Sequence, residues 1–112
     1  MSCEGVWSVD FKGPHGWERI ATAFMENGKY FGASTNHYSV GHYKEEGDEL
    51  EISLTMRQYA NLRTVLGVKS ADPLQIKYKC KVTKNKITGT GMAKGIKKYK
   101  IQIRFTKIDD IK

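Results

Sequence analysis

The sequence predicts an all-β protein: an eight-stranded antiparallel up-and-down β-barrel, with a two-sheet sandwich as the alternative. Three observations carry this reading. Apolar side chains recur at every second residue through most of the chain, which is the period of strands with one dry and one wet face. Turn signals rich in Gly, Asn and Asp divide these stretches into eight short segments. Eight strands joined by hairpins expose two sheet edges unless the sheet closes on itself, and a barrel removes both.

Each element follows from its residues. Trp7, Val9 and Phe11 alternate with Ser8 and Asp10, giving a first strand over 5–11. Asp10 shares its parity with Ser8 and is expected to face solvent. Lys12-Gly13-Pro14-His15-Gly16 turns the chain into a second strand over 17–25. Asn27-Gly28, two residues that tolerate positive φ, leads to a third over 29–35. Strands over 37–44 and 49–57 flank the turn Glu45-Glu46-Gly47-Asp48. In the second of these, Leu50, Ile52, Leu54 and Met56 alternate with Glu51, Ser53, Thr55 and Arg57. The pattern breaks over 58–67, where Tyr59, Leu62 and Leu66 suit a short helix ended by Gly67, or else a long loop. Beyond Asp72-Pro73, Leu74, Ile76, Tyr78, Cys80 and Val82 alternate with Gln75, Lys77, Lys79, Lys81 and Thr83 over 74–83. Lys84-Asn85-Lys86 turns into 87–93, and Gly95 into a last strand over 97–107 carrying Tyr99, Ile101, Ile103 and Phe105 on one face. Gly32, Gly41, Gly89 and Gly91 fall inside strands, where a barrel needs small residues to bend.

A chain of 112 residues is one domain, spanning 1–112. It contains no apolar run long enough for a spanning helix. Its start, MSCEGVWSVD, lacks the basic and apolar regions of a signal peptide, so a cytoplasmic location is expected. Cys3 and Cys80 lie far apart in no metal spacing and are expected as free thiols. The net charge of +7 is divided unequally, with the first half of the chain net acidic and the second half strongly basic. The two halves suit partners of opposite sign, although a lysine-rich surface also serves solubility.

Enzyme chemistry finds no footing. There is no nucleophile elbow, phosphate loop or paired-histidine zinc motif, so no catalytic residue, metal or cofactor is assigned. His15, His37 and His42 match no ligand spacing. Lys77, Lys79, Lys81, Lys98, Lys100 and Arg104 form a basic wall if their strands are neighbours. The aromatics of those strands, Tyr78, Tyr99 and Phe105, have the opposite parity and point inward, which argues against a base-stacking platform and against direct nucleic-acid binding. The sharpest local feature is acidic: Glu45, Glu46, Asp48, Glu49 and Glu51 place five carboxylates within seven residues. Such a cluster is either a solvated hairpin tip or a docking loop for a basic protein. The inward set Trp7, Val9, Phe11, Leu50, Ile52, Leu54, Ile76, Tyr78, Ile101, Ile103 and Phe105 either fills the barrel or lines a cavity for a small apolar ligand.

Gly5-x-Trp7 at the head of the first strand resembles the opening of lipocalin-like (calycin) barrels. A longer pattern is more specific: Gly13-Pro14-x-Gly16-Trp17, Asn27-Gly28-Lys29, Gly32, Tyr38-x-x-Gly41-x-Tyr43, Gly47-Asp48 and Gly89-x-Gly91. Over nearly the whole chain it resembles the GrlR family, negative regulators of type III secretion genes. The resemblance implies a calycin-like barrel, a homodimer and no catalytic activity. It further implies transcription regulation by binding a DNA-binding transcriptional activator through an acidic surface stretch. That stretch falls on Glu45, Glu46 and Asp48, with Gly47 interrupting the run and Glu49 extending it. A Gly-Gly-Asp expected after the third strand is replaced by Gly32-Ala33-Ser34.

Overall fold

A computed structural model describes residues 3–13, 16–34, 37–58, 74–93 and 96–110. Eight strands follow one another along the chain: β1 (Gly5–Gly13), β2 (Gly16–Glu26), β3 (Lys29–Ala33), β4 (His37–Glu46), β5 (Glu49–Gln58), β6 (Leu74–Thr83), β7 (Lys86–Ala93) and β8 (Ile96–Asp109). Each pairs antiparallel with the next, and β8 returns to pair with β1, so the sheet is a closed eight-stranded barrel. The helix expected near 58–67 lies outside the described residues, except for Gln58, which ends β5.

Local chemistry sets the hairpins. Asn27 and Gly28 both adopt positive φ, 50° and 77°, which matches the turn to the twist of β2 and β3. Strand parity then sorts the faces. Odd residues of β1, even residues of β5 and β6, odd residues of β7, and Ile101, Ile103 and Phe105 of β8 point into the barrel. Register is pinned because a one-residue slip would turn this entire apolar set outward. Closure also needs close backbone approach. A Cβ on Gly91 would lie 2.2 Å from Cδ1 of Tyr78, so the glycine makes room for the tyrosine ring inside the barrel.

The interior is packed with side chains. Trp7, Tyr78, Phe105, Met25, Leu50, Ile52, Ile87, Ile103 and Val9 each leave less than 2% of their surface free, or 2% for Val9 and Leu50. Two ring pairs bridge the barrel: Phe11 of β1 meets Tyr78 of β6 edge-on, and Tyr30 of β3 meets Phe105 of β8, both with centroids 6.3 Å apart. One barrel end is closed by the segment before β1. There the Trp7 indole N–H donates to the Cys3 carbonyl at 3.0 Å, and the Cys3 amide donates to the Glu45 carboxylate.

Candidate functional site

The inward residues singled out from the sequence, Trp7, Val9, Phe11, Leu50, Ile52, Leu54, Ile76, Tyr78, Ile101, Ile103 and Phe105, are all buried. They offer no reactive constellation. Burial is the main cause that pushes the Tyr78 hydroxyl well up and the Cys80 thiol up to about 12. Burial likewise raises Cys3 to about 12, reinforced by its contact with Glu45. Both cysteines are free thiols held in the un-ionised, unreactive form.

The two described histidines, His37 and His42, do not converge. His15 lies outside the described residues. His37 and His42 stand on the inner and outer faces of β4, His37 buried and His42 exposed. No group of three or more potential metal ligands occurs among the described residues. His37 instead shares a hydrogen bond between its Nδ1 and the Ser34 hydroxyl at 2.9 Å. Burial lowers its pKa below the ordinary 6.5, so the fold favours neutral imidazole. The native state therefore binds fewer protons than the unfolded chain. This contribution is intact above about pH 6.5 and is lost as pH falls from there through the folded value. Urea unfolding from pH 7.5 to 5 should show a stability decline in which His37 takes part, and His37→Gln should flatten that part of the curve.

The chemistry lies on the outer surface, which divides into three sectors. The first is apolar. Phe24, Phe31 and Val40 point outward from β2, β3 and β4 in direct cross-strand register, and they are 44%, 50% and 39% exposed. Val6 of β1 continues the row beside Phe24. A groove of about 880 Å³ adjoins it, its lining including Phe31, Val40 and Met92 as well as Lys29, His42 and Lys77.

The second sector is the acidic turn between β4 and β5. Glu46, Asp48 and Glu49 are exposed. Glu45, expected at an exposed turn with them, is instead half-buried, because its parity turns it toward the barrel end where it accepts from the Cys3 amide. The acidic run is also partly answered by its neighbour strand. Glu49 pairs in register with Lys81 and Glu51 with Lys79. Lys77 reaches Glu51 at 2.9 Å, and that contact holds the Glu51 carboxyl below its usual range.

The third sector is basic and covers β6, β7 and β8. It borders Asp10, where sequence parity misled about burial, as it did at Ser8. Asp10 does point outward, yet its side chain is only 8% exposed because two guanidinium groups cover it. Arg104 Nε donates to Asp10 Oδ2 at 3.0 Å, and Arg19 Nε lies 3.5 Å from Oδ1. Arg104 in turn lies over the Trp17 ring, 4.4 Å from its centroid. An exposed aromatic thus does sit at the edge of the basic face, contributed by β2, where reasoning within β6 and β8 could not find it. Trp17 opens β2 beside Lys12 at the close of β1, and the pairing of β1 with β8 brings Arg104 next to Asp10.

The chain matches no protein-family model, and no curated protein is significantly similar to it. Among the described residues no helix is long and apolar enough to cross a membrane.

Proposed function

We propose that this protein is a non-enzymatic regulator that acts by protein–protein contact, its β4–β5 turn docking a basic, DNA-binding transcriptional activator. The observation that carries this reading is the turn itself: Glu46, Asp48 and Glu49 stand exposed at one end of a rigid closed barrel. Carboxylates held there compete with phosphates for an activator's lysines and arginines, and they speed encounter by long-range attraction. The likeness to the GrlR family supports the same role, a negative regulator of type III secretion genes working in the cytoplasm. Buried free thiols suit that reducing compartment. The alternative, a barrel holding an apolar ligand inside, is disfavoured by the side chains and bridging rings that occupy the interior.

The test uses Glu46→Gln, Asp48→Asn and Glu49→Gln together. Glu45 is left in place because it ties down the segment before β1. The triple variant should fold as the wild type does. A DNA-binding protein captured from native cytosol by the wild type should be lost by the variant, and its association should become slower and less salt-dependent. Equal recovery of the same partner by both proteins would remove the turn from the mechanism.

The same reading includes a homodimer through the Phe24, Phe31 and Val40 row. Glu26 and Lys29 pair beside that row, so two copies related by a twofold axis can exchange opposite charges reciprocally while burying the apolar strip. The wild type should sediment as a dimer at micromolar concentration and Phe31→Lys as a monomer. A monomeric wild type refutes this contact.

A further inference from the structure

The outer face of β6 carries Lys77, Lys79 and Lys81, and Arg104 stands on β8 beyond the neutral Thr88 and Thr90 of β7. From Leu74 to Lys107 the sequence holds eleven Lys and Arg residues and no Asp or Glu. Lys77, Lys79 and Lys81 point outward from β6 at two-residue spacing, about 6.8 Å apart. That is close to the separation of neighbouring phosphates on an extended single strand. Across the sheet, Lys79 adjoins Thr90 and then Gln102, and Lys81 adjoins Thr88 and then Arg104. Together with Trp17, these strands line a groove of about 840 Å³. Trp17 is 38% exposed, with the Arg104 guanidinium stacked on its ring. The buried Asp10 carboxylate holds that guanidinium, so ring and cation are oriented before any ligand arrives.

We propose that this face binds single-stranded nucleic acid, with phosphates along Lys79 and Lys81 and an unpaired base against the exposed part of Trp17. A cationic track beside an aromatic platform is what sequence-tolerant single-strand binding requires. Lys44, Glu46, Glu49 and Glu51 of β4 and β5 also line the groove, Glu49 and Glu51 in register with Lys81 and Lys79, so phosphates compete with these carboxylates for the two lysines. Lys77 is engaged by Glu51 and contributes less. A duplex satisfies only half of the site, because its bases are stacked away from Trp17. The groove shares Glu46 and Glu49 with the acidic turn, but the two readings fail on different results: the activator reading fails if the triple acidic-turn variant keeps its protein partner, and this one fails if the wild type does not bind single strands.

The test is fluorescence anisotropy with labelled twelve-nucleotide oligo(dT), oligo(U) and a duplex of the same length, at several salt concentrations. The single strands should bind more tightly than the duplex, and whichever of the two binds better identifies DNA or RNA as the ligand. Trp17→Ala should weaken single-strand binding roughly tenfold. Lys79→Ser with Lys81→Ser should reduce the slope of log K against log salt by about 1.4, the share of two phosphate contacts. The triple acidic-turn variant should bind as well as the wild type or better. Trp7 is buried, so quenching of tryptophan fluorescence by unlabelled oligo(dT) reports on Trp17 in the unaltered protein, even if Trp17→Ala does not fold. Failure of the wild type to bind at low salt, equal affinity for the duplex, absence of quenching, or unchanged binding by folded Trp17→Ala overturns the proposal.

Discussion

Replacement of Trp7 by Ala should destabilise the barrel by about 3–5 kcal/mol, the range for removing a fully buried large aromatic. Trp7 is 1% exposed and packs in the barrel core beside the segment that precedes β1. Its loss removes packing and leaves the Cys3 carbonyl without the indole N–H that it accepts at 3.0 Å. It also strips away the ring near which the Lys107 ammonium sits, 6.0 Å from the centroid. Since small domains are stable by only about 5–15 kcal/mol in total, this change should leave a marginal protein. Urea unfolding followed by far-ultraviolet circular dichroism should show a much lower midpoint with an unchanged slope. Trp7→Phe separates the two contributions. It keeps most of the volume but not the hydrogen bond, and should cost about 1–3 kcal/mol. A Trp7→Ala protein as stable as the wild type would show that this packing contributes nothing to the fold.

Gly41→Ala should be nearly as damaging, for a different reason. A Cβ at this position would meet the Ser53 carbonyl oxygen at 2.0 Å and the Leu54 Cα at 2.7 Å. Both are backbone atoms of the paired strand β5, so no rotamer change relieves the clash. The β4–β5 ladder must separate locally, at a cost at or above the roughly 1–3 kcal/mol typical of overpacking. Gly47→Ala is the contrast. It occupies an open turn with nothing within 4 Å, and only its φ of 65° opposes the substitution. It should therefore cost about 1 kcal/mol or slightly more. Thermal unfolding of the two variants side by side checks the ranking, and equal effects would place the strain in backbone angles rather than in strand contact.

Much of the architecture was legible before any coordinates, because strand periodicity is a local property. Alternation in 50–56 and 74–82 identified β5 and β6, and the Asn27-Gly28 and Gly47-Asp48 turns located two hairpins. Eight strands without a long crossover left closure as the simplest way to cover both edges, and the barrel is closed. Parity also assigned Leu54 and Ile103 to the inside and Lys79 to the outside.

The site was less legible, because parity says which way a side chain points but not what covers it. Asp10 points outward as its parity requires, yet Arg19 and Arg104 bury it, and Arg104 lies 94 residues away in the sequence. Glu45 looked like its acidic neighbours until the segment before β1 crossed the barrel end and used its carboxylate. Phe24, Phe31 and Val40 became an apolar row only when three strands were set in register.

By itself, then, the sequence determined the strands, their faces and the sign of the charge on each half of the chain, all consequences of neighbours within a few residues. Only the tertiary structure decided which charges are answered, which aromatic stands beside the basic face and which carboxylates remain free at the turn. Closing the sheet brings β1 against β8 and β5 against β6, and electrostatic pairing and desolvation depend on those distances in space rather than on separation along the chain.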